Sequence, residues 1–208
     1  MNTRFFHLRA RHLPVFFVTA MAFGAFSSTQ SRVYAQETDA PAPPTKAPEP
    51  PQVGEIAPDF ELEAIDGTKV KLSAQTDKGP VVLVELRGYP GYQCPICTAQ
   101  VGQLINKAEE FNKAKAQVVL VYPGPAEGLK AHADEFVRGK NLPTNFYLLL
   151  DPDFAVTKQY GLRWEAKNET SYPSTFVLDG ERKVLFAKVS HSHGGRATVE
   201  EILAALPK

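Results

Sequence analysis

The chain is poor in sulfur and tryptophan and has no surplus of charge. Two cysteines, two methionines and one tryptophan occur in 208 residues. So few cysteines exclude the dense disulfide framework of a small secreted scaffold. Basic and acidic residues balance at 23 each, and no basic stretch stands out. This gives no support to nucleic-acid binding, which needs a basic face. No internal repeat is visible, which excludes a solenoid. The longest apolar run, LPVFFVTAMAFGAF at Leu13–Phe26, falls short of the about 20 residues an ordinary membrane-spanning helix requires.

That run has the length of a signal-peptide core. Arg4, Arg9 and Arg11 precede it, and Val33-Tyr34-Ala35 follows with small residues at the positions a signal peptidase reads. Residues 1–35 are therefore expected to be a signal peptide cut before Gln36, leaving an exported protein, periplasmic or extracellular, with no stable membrane insertion. An uncleaved anchor is the alternative. No arginine pair and no cysteine lies near the cut, which argues against a twin-arginine route and a lipoprotein. Residues 36–52 are proline-rich with hardly a large apolar side chain, as in an extended, disordered linker. Residues 53–208 remain, enough for one domain with a sizeable core. Without the four leader arginines the chain has 19 basic and 23 acidic residues, a net −4.

Within the domain, strands and helices alternate. FELEAI and KVKL flank Asp66-Gly67, and STFVLDGERKVLFAKV reads as two strands around Asp179-Gly180; both are hairpin signals. Val81–Arg87 (VVLVELR) is a near-continuous β-branched run, as in a strand buried on both faces. QVVLVYP is a second such strand, and FYLLLD a third. Val101, Leu104, Ile105, Ala108 and Phe111 recur at helical spacing, as do Leu129, Ala133, Phe136 and Val137. PDFAVTKQYG predicts a short helix closed by Gly161, and a last helix spans about 198–206. The order predicts a central mixed β-sheet with helices on both faces and an N-terminal β-hairpin, an α/β fold.

Both cysteines lie in GYPGYQCPICTAQ, where the first central strand hands over to a helix. A bridge between Cys94 and Cys97 would close so short a loop that it constrains little. The pair therefore reads as redox chemistry or as half of a metal site, with a structural disulfide as the bland alternative. Cys94 is expected at the N-cap and Pro95 at the first helical position, where its missing N–H costs nothing. Cys97 follows on the same face one turn on, so the sulfurs can meet as a redox-active disulfide. The helix start favours a thiolate over a thiol, and Cys94, taken as the more exposed of the two, should ionise more easily. A structural zinc would need four ligands. His191 and His193 in HSHGGR are the nearest-looking candidates, and a solvated loop explains them better. No metal and no cofactor is expected.

The order and spacing of GEIAPDFELEAIDGTKVKLS, the strand into the thiol motif, YGLRW and YPSTFVLDGERKV resemble the alkyl hydroperoxide reductase/thiol-specific antioxidant (AhpC/TSA, redoxin) family over residues 53–206. That family is the peroxiredoxin-like branch of the thioredoxin fold. The resemblance implies a thioredoxin-like fold and an antioxidant oxidoreductase that takes a hydroperoxide substrate and a thiol electron-donor protein. A peroxiredoxin carries Pro-x-x-x-Thr-x-x-Cys. On that register Pro90 opens the motif, Cys97 takes the peroxidatic position and Cys94 replaces the threonine. Peroxiredoxins also place an arginine ahead of the STFVLD strand; Pro173 stands there, as in thioredoxins, and Arg87, Arg163 and Arg196 are the candidates to replace it in space. Both departures point to thioredoxin, although Gln93 occupies the place of the tryptophan usual before a thioredoxin motif.

Three functions follow from this: a peroxidase working through the Cys94–Cys97 pair, a thioredoxin-like thiol–disulfide oxidoreductase acting on protein disulfides, or a binding module that kept the fold. Cys94 and Cys97 are the expected catalytic residues in both enzyme readings, with Pro90 and Pro173 shaping the site. Tyr89 and Tyr92 are placed to wall it or to pack, and Trp164 to dock a partner or to fill the core. Glu85, unusual in a buried strand, is a candidate proton acceptor or a partner of Lys69 or Lys71.

Overall fold

The computed structural model describes residues 48–208, so the expected leader and residues 36–47 of the expected linker lie outside the described residues. The last residues of the proline-rich stretch already lie against the domain. Pro51 is buried. A Cβ on Gly161, which has φ +64, would come within 2.3 Å of the Pro48 carbonyl oxygen, so only glycine allows that approach.

Strands β1 (Glu61–Ala64) and β2 (Lys69–Lys71) pair antiparallel as the N-terminal hairpin. The Asp66 carboxylate accepts from the Thr68 amide at 3.0 Å and the Thr68 hydroxyl at 2.7 Å, closing a loop longer than the two residues of the Asp-Gly signal. A short helix not foreseen from the sequence, α1 (Leu72–Thr76), follows and buries Leu72. Then come β3 (Val81–Glu85), α2 (Pro95–Asn106), α3 (Ala108–Lys113), β4 (Gln117–Gly124), α4 (Leu129–Val137), β5 (Phe146–Pro152), α5 (Ala155–Gln159), β6 (Ser174–Leu178), β7 (Val184–Val189) and α6 (Val199–Ala205). The single helical stripe expected from Val101 to Phe111 is two helices broken at Lys107, whose backbone leaves the helical region at φ −109, ψ 17. Val101 and Leu104 of the first and Phe111 of the second still bury into one core.

The sheet order is β2-β1-β5-β4-β3-β6-β7. Strands β3, β4 and β5 run parallel; β6 lies antiparallel on β3 and β1 on β5. Alternate residues of the central strands feed two cores, because successive side chains point to opposite faces. Val82, Val84 and Leu86 pack with Val118 and Leu120 under α2, α4 and α6. Val81 and Leu83 pack with Val119, Leu149, Phe176 and the hairpin side, including Leu72, Val156 and Tyr160. The mixed sheet with helices on both faces is the architecture expected.

The chain leaves the sheet abruptly after β3. Gly88 has φ +68, and a Cβ there would lie 1.9 Å from the Pro123 carbonyl oxygen. Glycine alone lets the strand cross β4 so closely and turn toward α2. The thiol motif thus sits at the carboxyl end of a central strand, where open α/β sheets place their sites.

Candidate active site

Cys94 is the N-cap of α2 and Pro95 its first residue, as expected from the sequence. The Cys94 sulfur accepts the Cys97 backbone N–H at 3.3 Å, satisfying one of the donors a helix start leaves open. Both cysteines are free thiols. Both residues are buried, Cys94 2% and Cys97 1% accessible, so the expected difference in exposure has the expected sign but is slight.

The loop ahead of the motif covers the sulfurs because Gln93 ties it to α4. Its amide donates to the His132 carbonyl at 2.9 Å and the Glu135 carboxylate at 3.1 Å, and its oxygen accepts the Tyr122 hydroxyl at 3.0 Å. Tyr89 lies flat on the His132 ring, centroids 3.6 Å apart. Where thioredoxins carry tryptophan, this chain has a residue that clamps the loop with hydrogen bonds.

Electrostatics separates the two thiols sharply. A hydrogen bond from the Cys97 thiol is the largest influence on Cys94 and holds it down, against burial. The Cys97 backbone N–H and the charges of Arg196 and Arg87 act in the same direction, and Cys94 falls to about 5. Cys97 moves upward, because ionising it would lose that hydrogen bond and because it is buried. Cys94 is then a thiolate at neutral pH and Cys97 a thiol one helical turn away. The peroxiredoxin register puts the attacking sulfur at Cys97, whereas the ionisation falls on Cys94, as the helix-start argument anticipated.

Of the three candidate arginines, Arg196 reaches the thiols, with Nη2 3.6 Å from the Cys94 sulfur. Its Nη1 donates to the Gln100 side chain at 2.8 Å and its Nε to the His193 carbonyl at 3.2 Å. Arg87 is committed elsewhere, to the Glu169 carboxylate at 2.8 Å, the Tyr92 hydroxyl at 2.7 Å and the Asn168 carbonyl at 3.0 Å. Arg163 donates to the backbone carbonyls of Trp164, Glu169 and Thr170. The other Glu169 oxygen lies 2.9 Å from His193 Nε2, and Arg87 and His193 together hold the Glu169 carboxyl below its ordinary value against burial. His193 is therefore part of a latch that joins it through Glu169 to Arg87. The sequence contained its signal, the HSHGGR loop, but not the partner 24 residues upstream.

Pro90 is half-buried in the turn before the motif. Pro173 is buried directly before β6, whose Ser174 pairs with Glu85 at the end of β3, and its carbonyl accepts the Ser190 amide at 2.9 Å. It thereby joins the end of β3 to the loop that carries Arg196. Tyr92 is half exposed beside the motif, and Trp164 stacks on Tyr172 at 4.8 Å without entering the core.

Glu85 pairs with neither lysine proposed for it. Lys69 reaches Glu61 and Lys71 reaches Asp59. Glu85 points instead into the hairpin side of the sheet, where the Thr157 hydroxyl lies 2.7 Å from both the Glu85 and Asp151 carboxyls. Burial and the Asp151 charge push Glu85 well above the usual carboxylate range. One hydroxyl has one proton, so a protonated Glu85 donating to Thr157, which donates to Asp151, satisfies all three groups. The residues before and after it, Val84 on β3 and Leu86 just beyond it, face the core that holds the cysteines, so Glu85 faces away from them. Among the described residues no group of three or more histidine, cysteine, aspartate or glutamate side chains is placed to hold a metal ion.

A dithiol at a helix N-terminus, launched from the central strand of a mixed sheet, defines a thiol oxidoreductase of the thioredoxin fold. Its family is shown by comparison: the AhpC/TSA family matches residues 53–187. The chain belongs to that family. It is 31% identical to the putative peroxiredoxin Rv1608c of Mycobacterium tuberculosis over 159 residues, covering 73% of this chain and 97% of that one. It is 32% identical to peroxiredoxin Bcp of Escherichia coli over 142 residues, covering 65% and 83%. The crystal structure of peroxidoxin BcpB from M. tuberculosis superimposes with a TM-score of 0.59 at 28% identity, over 74% of this chain and 96% of that one. The protein is a peroxiredoxin-like, thiol-dependent oxidoreductase.

Proposed function

We propose that this chain is an exported thiol peroxidase that reduces hydroperoxides through Cys94 and Cys97. The observation that carries the reading is the geometry around the Cys94 sulfur, which accepts the Cys97 backbone N–H at 3.3 Å with Arg196 Nη2 at 3.6 Å, an arrangement that pulls Cys94 down while Cys97 moves up. Burial of both sulfurs favours a small oxidant over the disulfide of a folded protein. The similarity to peroxiredoxins supports the same chemistry.

In this mechanism the Cys94 thiolate attacks the terminal oxygen of the hydroperoxide. An S–O bond forms and the O–O bond breaks; sulfur is oxidised to sulfenic acid, and the alkoxide takes a solvent proton and leaves as alcohol. The Cys97 thiol then attacks the Cys94 sulfur, forming the Cys94–Cys97 disulfide and releasing water. The spacing lets this second step proceed one helical turn away. A dithiol electron-donor protein returns the pair to two thiols by exchange, becoming a disulfide itself.

A second reading, thiol–disulfide exchange with protein substrates, is favoured by one observation. The ionised sulfur belongs to the first cysteine of Cys-x-x-Cys, the position that attacks in thioredoxins. Stopped-flow mixing of the reduced protein with hydrogen peroxide and with a disulfide-bonded protein separates the two. The peroxidase reading expects a peroxide rate far above that of a free thiol, abolished by Cys94→Ser. Rapid reduction of the protein disulfide with peroxide reactivity no better than free cysteine would replace it by the second.

A further inference from the structure

We propose that Arg196 is the catalytic arginine of this protein, delivered by the loop ahead of α6 instead of the segment ahead of β6, and that Glu169 and His193 position it. The inference rests on the peroxidase reading and adds a residue to it.

A thiolate alone does not align the O–O bond. As the sulfur attacks, negative charge moves from it to the departing oxygen, so a donor that spans both positions stabilises the transition state more than the ground state. Pro173 occupies the place where peroxiredoxins carry their arginine and can donate nothing. Arg196 meets the requirement from the other side of the site. Its guanidinium touches the Cys94 sulfur, and among the described residues three of its five N–H groups have acceptors: His193, Gln100 and Cys94. The remaining donors are those a peroxide oxygen would take. A depression of about 190 Å³ lies beside this contact, with Ile96, Gln100, Gly195, Arg196 and Ala197 among its lining.

The loop is built to hold that position. The Ser190 hydroxyl accepts the Ser192 amide at 3.3 Å and has its one proton within reach of the carbonyls of Ser192 and Gly194, and Gly195 turns the chain at φ +67. The His193 ring pairs with Glu169, whose other oxygen holds Arg87 at the end of the strand that launches the thiol motif. Glu169 thus fixes the segment bearing Cys94 and the loop bearing Arg196 to one carboxylate. Arg87 spends its donors on Glu169, Tyr92 and the Asn168 carbonyl, and Arg163 meets the carbonyls of Trp164, Glu169 and Thr170; among the described residues neither guanidinium makes a hydrogen bond to a cysteine sulfur.

The test measures peroxide consumption by stopped flow and thiolate absorbance near 240 nm on the full reduced chain, with far-UV circular dichroism to confirm folding. Rates are compared at a pH where each protein's thiolate signal has reached its plateau. Arg196→Met is expected to lose on the order of 100-fold in rate there, the effect of removing one transition-state donor. Arg196→Lys should recover the thiolate midpoint but only part of the rate, because an ammonium cannot span two positions as a planar fork does. Glu169→Gln should slow the reaction in the wild-type background and add nothing in the Arg196→Met background. A fast wild type matched by Arg196→Met at the plateau would overturn the assignment and leave the peroxidase reading intact. A wild type no faster than free cysteine would overturn both.

Discussion

Replacing Cys97 by alanine removes the strongest influence on the Cys94 thiolate while leaving its other three supports, the backbone N–H and the charges of Arg196 and Arg87, in place. A hydrogen bond to a charged group contributes about 1.5–3 kcal/mol, and about 1.4 kcal/mol corresponds to one pKa unit. The Cys94 midpoint, about 5 in the parent, should therefore rise by about one to two units in Cys97→Ala. At pH 6 the parent would be about 90% thiolate and the variant about 10–50%. Absorbance near 240 nm against pH reads the midpoint directly, and one peroxide turnover at pH 6 reads its consequence. With no second thiol, the variant should also accumulate a sulfenic acid that dimedone captures. The sign of the linkage follows from the downward shift. Ionisation of Cys94 stabilises the reduced fold most above the thiol's unfolded value, and that contribution is lost as pH falls through about 5. A parent midpoint near 8.5, the ordinary thiol value, would refute the reasoning. So would a variant whose midpoint does not move.

Two further outcomes are expected. Glu85 is pushed up by burial, so its protonated form stabilises the fold fully below its unfolded value and progressively less as pH rises. While folded Glu85 stays protonated and unfolded Glu85 is ionised, the loss is about 1.4 kcal/mol per pH unit. Glu85→Gln keeps a donor to Thr157 without that dependence. Its urea midpoint should exceed the parent's at pH 8 and approach it near pH 4.5; a parallel offset at both pH values would contradict a neutral Glu85. The second outcome concerns export: N-terminal sequencing of protein recovered from outside the cytoplasm should begin at Gln36, and a membrane-bound product beginning at Met1 would contradict this.

The elements legible from the sequence are those whose causes are local. The β-branched runs at Val81–Glu85 and Gln117–Gly124 became buried parallel neighbours, and the Asp-Gly pairs became hairpins closed by the aspartate side chains. Cys94 is a helix cap because its own helix start, with Pro95 next in line, makes it one. The helix break at Lys107 escaped the sequence because the apolar stripe continues across it. Helix α1 escaped because five residues are too few to show a period.

The chemistry of the site is set by contacts between distant segments. Arg196 meets a sulfur 102 residues away, Arg87 meets a carboxylate 82 residues away, and Thr157 closes on Glu85 across 72. Spacing alone offered three arginines with no means of choosing among them, and for the cysteines two opposed signals: the helix start favoured Cys94 and the peroxiredoxin register Cys97. A pKa depends on what lies within a few ångströms in space, and proximity in space between residues so far apart in the chain exists only once the sheet is assembled. Composition and periodicity determined that there would be a dithiol at the end of a central strand. Which sulfur carries the charge, and which arginine holds it, was decided by the tertiary structure, because only folding brings β3, α2 and the loop ahead of α6 to one point.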